Sequence, residues 1–73
     1  MTYLLEKEIN GMYRRAMFHT SIHSNEPCVS YSLINKRGTY NRNLGTTFFN
    51  SKDEGNEKYK SLIAEGYKVI SKW

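Results

Sequence analysis

The chain has 73 residues, of which 38% are hydrophobic and 25% charged, and its formal net charge is +4. This length allows one small domain, residues 1–73, and a single cysteine excludes an intrachain disulfide and fits a reducing compartment. No apolar stretch approaches the roughly 20 residues needed to cross a bilayer, and no secretory signal pattern opens the sequence. We therefore expect a cytoplasmic protein with no membrane partner.

The domain should be only marginally stable, because an ordering entropy of about 1.5 kcal/mol per residue opposes a small core. Six of the hydrophobic residues are Tyr, whose hydroxyl groups need water or a partner. Association of two copies is a common way to gain stability. The sequence favours neither a monomer nor a homodimer.

The first elements in the chain have the period-two pattern of strands. Residues 2–9 place Leu5 and Ile9 on one side, and residues 12 to about 22 place Ala16 and Phe18 on one face. Between them, Asn10-Gly11 is the preferred pair for a two-residue hairpin turn. The second strand's other face would carry a set of larger side chains: Tyr13, Arg15, Met17 and His19.

Two further strands are predicted before the helix. Turn residues at 24–27 precede a third strand at about 28–34. Residues 35–45 are polar, basic and bracketed by glycine, which favours an extended hairpin loop. Strand character resumes at 46–49.

A helix at about 52–65 is the clearest element. Ser51 and Glu54 have the spacing of a capping box, and Tyr59, Leu62 and Ile63 follow at helical spacing as a predicted core stripe. Gly66 suits the left-handed position that ends helices. A short strand then completes the chain. The predicted fold is α+β: an antiparallel meander of about four strands, one helix packed on one face and a C-terminal strand.

The positive charge is concentrated in the middle of the chain. Residues 10–50 contain one acidic residue, Glu26, against five cations: Arg14, Arg15, Lys36, Arg37 and Arg42. The guanidinium fork matches phosphate oxygens, so this excess favours an anionic partner. A solvated surface that only keeps the protein soluble is the alternative.

Segment 35–45 mixes the groups that hold single-stranded nucleic acids. It places Lys36, Arg37 and Arg42 around Tyr40, so cations can neutralise phosphates while an aromatic ring stacks a base. Arg14 and Arg15 are adjacent in a strand and must point to opposite faces. We predict a nucleic-acid-binding surface, for RNA or a single strand, formed by Arg14, Arg15, Lys36, Arg37, Tyr40 and Arg42.

Catalysis, a metal and a cofactor are not expected. His19 and His23 in one strand would stand about 13 Å apart and could not share a zinc ion. Either histidine could serve a small ribonuclease as general base, but no third group is predicted to orient it. The other open hypothesis is a small phage-type inhibitor or antitoxin that binds and blocks a host protein, with or without RNA.

Overall fold

Residues 2–21, 23–37 and 41–72, which the computed structural model describes, form one antiparallel sheet of five strands and one helix. This confirms the predicted α+β fold. The elements in chain order are β1 (Tyr3–Ile9), β2 (Met12–Thr20), β3 (Pro27–Asn35), β4 (Asn41–Phe48), α1 (Lys52–Ala64) and β5 (Lys68–Lys72). Their order in the sheet is β4-β3-β2-β1-β5, so α1 carries the chain from one edge to the other.

The first hairpin fixes the register of the two central strands. Asn10 and Gly11 both have positive φ angles, 50° and 81°, as the tight hairpin turn predicted for them requires. Ile9 therefore pairs with Met12, and the pairing continues without interruption as far as Tyr3 and Phe18. This register decides which β1 side chains accompany the arginines of β2.

The helix begins and ends close to the predicted positions. Ser51 Oγ accepts the backbone N–H of Glu54 at 3.2 Å, and the Glu54 carboxylate accepts the N–H of Asn50 at 3.3 Å. At the other end α1 stops at Ala64, and Gly66 follows with a φ of 106°. Local capping groups therefore set both ends. This helix is neither long nor apolar enough to cross a membrane.

The core lies between α1 and one face of the sheet. Gly55 lets the helix approach Phe49, because an added Cβ would stand 3.3 Å from that ring. Ile63 was predicted to be core, but 40% of its surface is exposed, and this prediction is wrong. The strip of α1 that packs against the sheet is too narrow to include Ile63. The buried cluster consists of Leu5, Ala16, Phe18, Val29, Phe49, Leu62 and Tyr67.

The hairpin between the third and fourth strands is present, but its loop is shorter than the predicted 35–45. Asn35 belongs to β3, and residues 41–45 are part of β4. Every residue of β4 is exposed because it forms an edge of the sheet, so its polar composition resembles that of a loop. Gly45, with a φ of 110°, lies at an irregularity where the register with β3 shifts between Tyr31 and Ser32.

Candidate nucleic-acid interface

Strand pairing brings three cations into one line on the face of the sheet that α1 partly covers. Arg14 is two residues before the buried Ala16 in β2, so both side chains lie on this face. Arg14 pairs with Lys7 of β1 and with Leu33 of β3. Leu33 in turn pairs with Arg42 of β4. We call Lys7, Arg14 and Arg42 the cationic row. With adjacent strands about 4.8 Å apart, the row from β1 to β4 extends about 14 Å.

Arg14 has an unsatisfied hydrogen-bond donor. Its guanidinium carbon lies 5.3 Å from the centroid of the Tyr31 ring, a cation–π contact. Its Nε atom is buried and has no hydrogen-bond partner among the described residues. A buried donor left in this state costs about 1–3 kcal/mol. Because the protein covers this atom, the Arg14 side chain would have to move before an anionic ligand could accept the N–H and remove that cost.

Two buried or half-buried tyrosines, Tyr31 and Tyr67, contact cations of the row. Lys7 Nζ lies 5.9 Å from the centroid of the Tyr67 ring. Burial raises the pKa of Tyr31 and of Tyr67 more than the neighbouring Arg14 charge lowers it, and Glu65 raises both a little further. Both phenols are therefore neutral near pH 7. The cations of the row do not meet a phenolate.

Arg37 and Arg42, two further cations of the predicted surface, are exposed at this end of the sheet. Arg42 is exposed on β4, and neither it, Lys7 nor Arg14 forms an ion pair with any residue that the structure describes. Arg37 is exposed in the turn that follows β3. Tyr40 lies outside the described residues.

Arg15 and Lys36 lie apart from the row, and each has an acidic partner. Arg15 points to the open face of the sheet, where its Nε donates to Glu6 Oε2 at 2.8 Å. Lys36 Nζ lies 3.1 Å from Glu8 Oε1, and that hydrogen bond and charge raise the pKa of the lysine. These two predicted contacts are therefore partly neutralised within the protein. The open face is less basic than the sequence indicated.

His19 is oriented by a chain of hydroxyl groups on the open face. Its Nε2 lies 2.9 Å from Ser30 Oγ, which lies 3.0 Å from Thr46 Oγ1. The prediction that no group orients this histidine is therefore wrong. Cys28 Sγ lies 3.5 Å from the same Nε2, but the thiol is 1% exposed and burial raises its pKa. Burial thus disfavours the thiolate that a cysteine nucleophile requires.

No group of three or more His, Cys, Asp or Glu side chains that could hold a metal ion occurs within residues 2–21, 23–37 and 41–72. His19 and Cys28 are adjacent, yet two ligands fall short of the four of a structural zinc site. The hydrogen-bond chain from His19 to Thr46 instead links three neighbouring strands. It supports the sheet at the end opposite to the cationic row.

A shallow groove separates Arg14 from one flank of the helix. Arg14, Tyr31 and Thr47 line its sheet side, and the helix contributes Glu54, Glu57, Lys58 and Ser61. Two cations and two carboxylates leave the groove close to neutral. An anion would therefore meet the row from the side away from the helix, towards Leu33 and Arg42.

Comparison of the chain with protein-family models, curated proteins and solved structures found no match.

Proposed function

We propose that the protein is a non-catalytic cytoplasmic module that binds RNA or another single-stranded nucleic acid on the cationic row. The observation that carries the proposal is the alignment of Lys7, Arg14 and Arg42 on one face, none of which has an acidic partner in the described chain. Guanidinium groups on one face, with a tyrosine ring beneath one of them, suit phosphate contacts.

In this proposal Arg14 and Arg42 donate to successive phosphates of a strand that crosses the sheet. Lys7 adds a third contact at one end, and the exposed Arg37 lies at the same end of the sheet as the row. Tyr31 holds the Arg14 side chain over its ring. Tyr40, for which base stacking is predicted, follows Arg37 along the chain.

The helix supports the choice of a single strand over duplex DNA. Proteins that read the major groove usually insert a basic helix. Within α1 three lysines are balanced by three carboxylates, so the helix offers no net positive surface: Lys52, Lys58 and Lys60 against Asp53, Glu54 and Glu57. A flat row of cations on a sheet is better matched to an extended strand.

Fluorescence anisotropy tests the proposal directly. RNA, single-stranded DNA and duplex DNA of equal length are titrated with the protein at low salt and again at physiological salt. We expect the single strands to bind more tightly than the duplex, and affinity to fall as salt rises. Absence of binding at low salt would refute the proposal.

One observation favours a second candidate, an inhibitor that binds a host protein. The strand β5 is exposed along its whole length, with Val69 and Ile70 exposed by 41% and 46%. In the described part of the chain it pairs only with β1, so its outer edge could add a strand from another protein. A pull-down that recovers one host protein, from a sample with no nucleic-acid absorbance, would favour this candidate.

A further inference from the structure

A cavity of about 490 Å³ lies on the flank of α1 opposite to Arg14. It is bounded by the start of β1, the end of β5 and the first half of the helix. The helix contributes four positions at helical spacing, Lys52, Gly55, Asn56 and Tyr59. Its volume is in the range of about 300–1,000 Å³ that small-molecule sites occupy.

Aromatic rings form the inner walls of the cavity. Tyr59 contacts Tyr3 with ring centroids 5.4 Å apart and Phe18 with centroids 5.8 Å apart. Phe49 completes the wall beside Gly55, where the absence of a side chain lets the helix approach that ring. A flat heteroaromatic ring can stack on such walls, because offset and edge-to-face contacts between rings are favourable.

The polar groups of the cavity suit an anion joined to that ring. Lys52 and Lys72 line it, and Lys72 Nζ lies 5.8 Å from the centroid of the Tyr3 ring. Among the described residues that line the cavity there is no Asp or Glu. The exposed Asn56 offers an amide that can both donate and accept hydrogen bonds, as recognition of a base edge requires.

We propose that this cavity binds a nucleoside monophosphate unit, with the base against the aromatic walls and the phosphate on Lys52 and Lys72. The unit is either a free nucleotide or the phosphorylated end of a nucleic-acid strand. The cavity and the cationic row lie on different flanks of the helix and share no residue. The inference therefore goes beyond the proposed function and stands or falls separately from it.

The test is an NMR titration of the ¹⁵N-labelled protein with each of the common nucleoside monophosphates. Parallel titrations use the matching nucleosides and inorganic phosphate. We expect saturable shifts of the Gly55 and Asn56 amide signals with at least one monophosphate, weaker shifts with its nucleoside, and none with phosphate. If no nucleotide moves these signals, or phosphate alone moves them equally, the proposal is overturned.

The matched variants are Lys52→Ala and Lys60→Ala, which remove the same charge from the same helix. Of these two lysines only Lys52 lines the cavity, so Lys52→Ala should weaken nucleotide binding about tenfold while Lys60→Ala leaves it unchanged. Equal weakening by both would indicate unspecific attraction and overturn the proposal. Both side chains are exposed, and the dispersion of the same spectra confirms folding.

Two oligonucleotide arms separate the two sources of the unit. In the Arg14→Ala, Arg42→Ala variant, which lacks two cations of the row, a strand with a 5′-phosphate that binds more tightly than the free monophosphate, and shifts the same amides, identifies a strand end as the ligand. Equal affinity identifies the free nucleotide, and both results support the shared chemistry. The same variant should lose most of its affinity for an oligonucleotide without a 5′-phosphate. Monophosphate-induced shifts at the cavity that persist in this variant confirm that the two sites are separate.

Discussion

Removal of two cations from the row should lower the salt dependence of nucleic-acid binding by a defined amount. On a single strand each neutralised phosphate contributes roughly −0.7 to the slope of log K against log salt. If Lys7, Arg14 and Arg42 each contact one phosphate, the slope should be about −2. The double variant Arg14→Ala, Arg42→Ala should bring it to about −0.7, at much reduced affinity.

A control with the same change in net charge comes from the opposite face. Arg15→Ala with Lys36→Ala also lowers the formal charge by two from +4, but these cations contact Glu6 and Glu8. We expect their loss to change the slope much less than the loss of the row residues. The assay is fluorescence anisotropy on a short RNA at several salt concentrations.

This comparison distinguishes a localised phosphate-binding site from a general attraction of nucleic acid by the protein's net charge. Equal losses in the two double variants would mean that only net charge matters, and the row would have no special role. An unchanged slope in the Arg14→Ala, Arg42→Ala variant would refute the row as the phosphate contact. Denaturant melts check folding, and Arg14→Ala should be tolerated because it removes a buried donor that has no partner in the described chain.

Three further outcomes are expected. Leu62→Ala should cost about 2–5 kcal/mol of unfolding free energy in denaturant melts and Ile63→Ala less than about 1 kcal/mol, because only Leu62 is buried; similar costs would contradict the packing. His19→Ala should leave RNA affinity unchanged, whereas loss of an RNA-cleaving activity in the folded variant would overturn the non-catalytic proposal. The pKa of Tyr31 is raised in the folded protein above its ordinary value of 10.0, so its contribution to stability is complete below pH 10.0 and is lost as pH rises through the folded-state pKa. Tyr31→Phe should reduce this alkaline loss of stability in pH-dependent melts. An identical alkaline decline in both proteins would contradict the prediction.

Elements fixed by local chemistry could be predicted from the sequence. The cap at Ser51 and the glycine at position 66 act within one helical turn, and Asn10-Gly11 defines its own turn. The polar strand at 41–45 and the exposure of Ile63 could not be predicted in this way. Both depend on what packs against the segment, and an edge strand has the composition of a loop.

The same distinction between local and long-range determinants applies to the cationic row. The two-residue turn pairs Ile9 with Met12, and the register then requires Lys7 to face Arg14 and Glu6 to face Arg15. Lys7 and the ion pair of Arg15 could therefore have been found from the sequence, given that turn. The position of Arg42 in the row could not have been found from the sequence, because the register of β4 depends on an irregularity opposite Tyr31.

This register also explains why charge counted along the chain misrepresents the surface. The five cations of the middle segment were set against one acid, but Glu6 and Glu8 of β1 are adjacent to that segment in the folded sheet. Antiparallel pairing brings them to Arg15 and Lys36, whereas Lys7 of the same strand pairs with Arg14 on the opposite face. A basic position of one strand stays uncompensated where the neighbouring strand has a cation instead of an acid at the paired position. Lys7 is that cation opposite Arg14, and in the proposed function this part of the covered face, on the side away from the helix carboxylates, contacts the phosphate backbone.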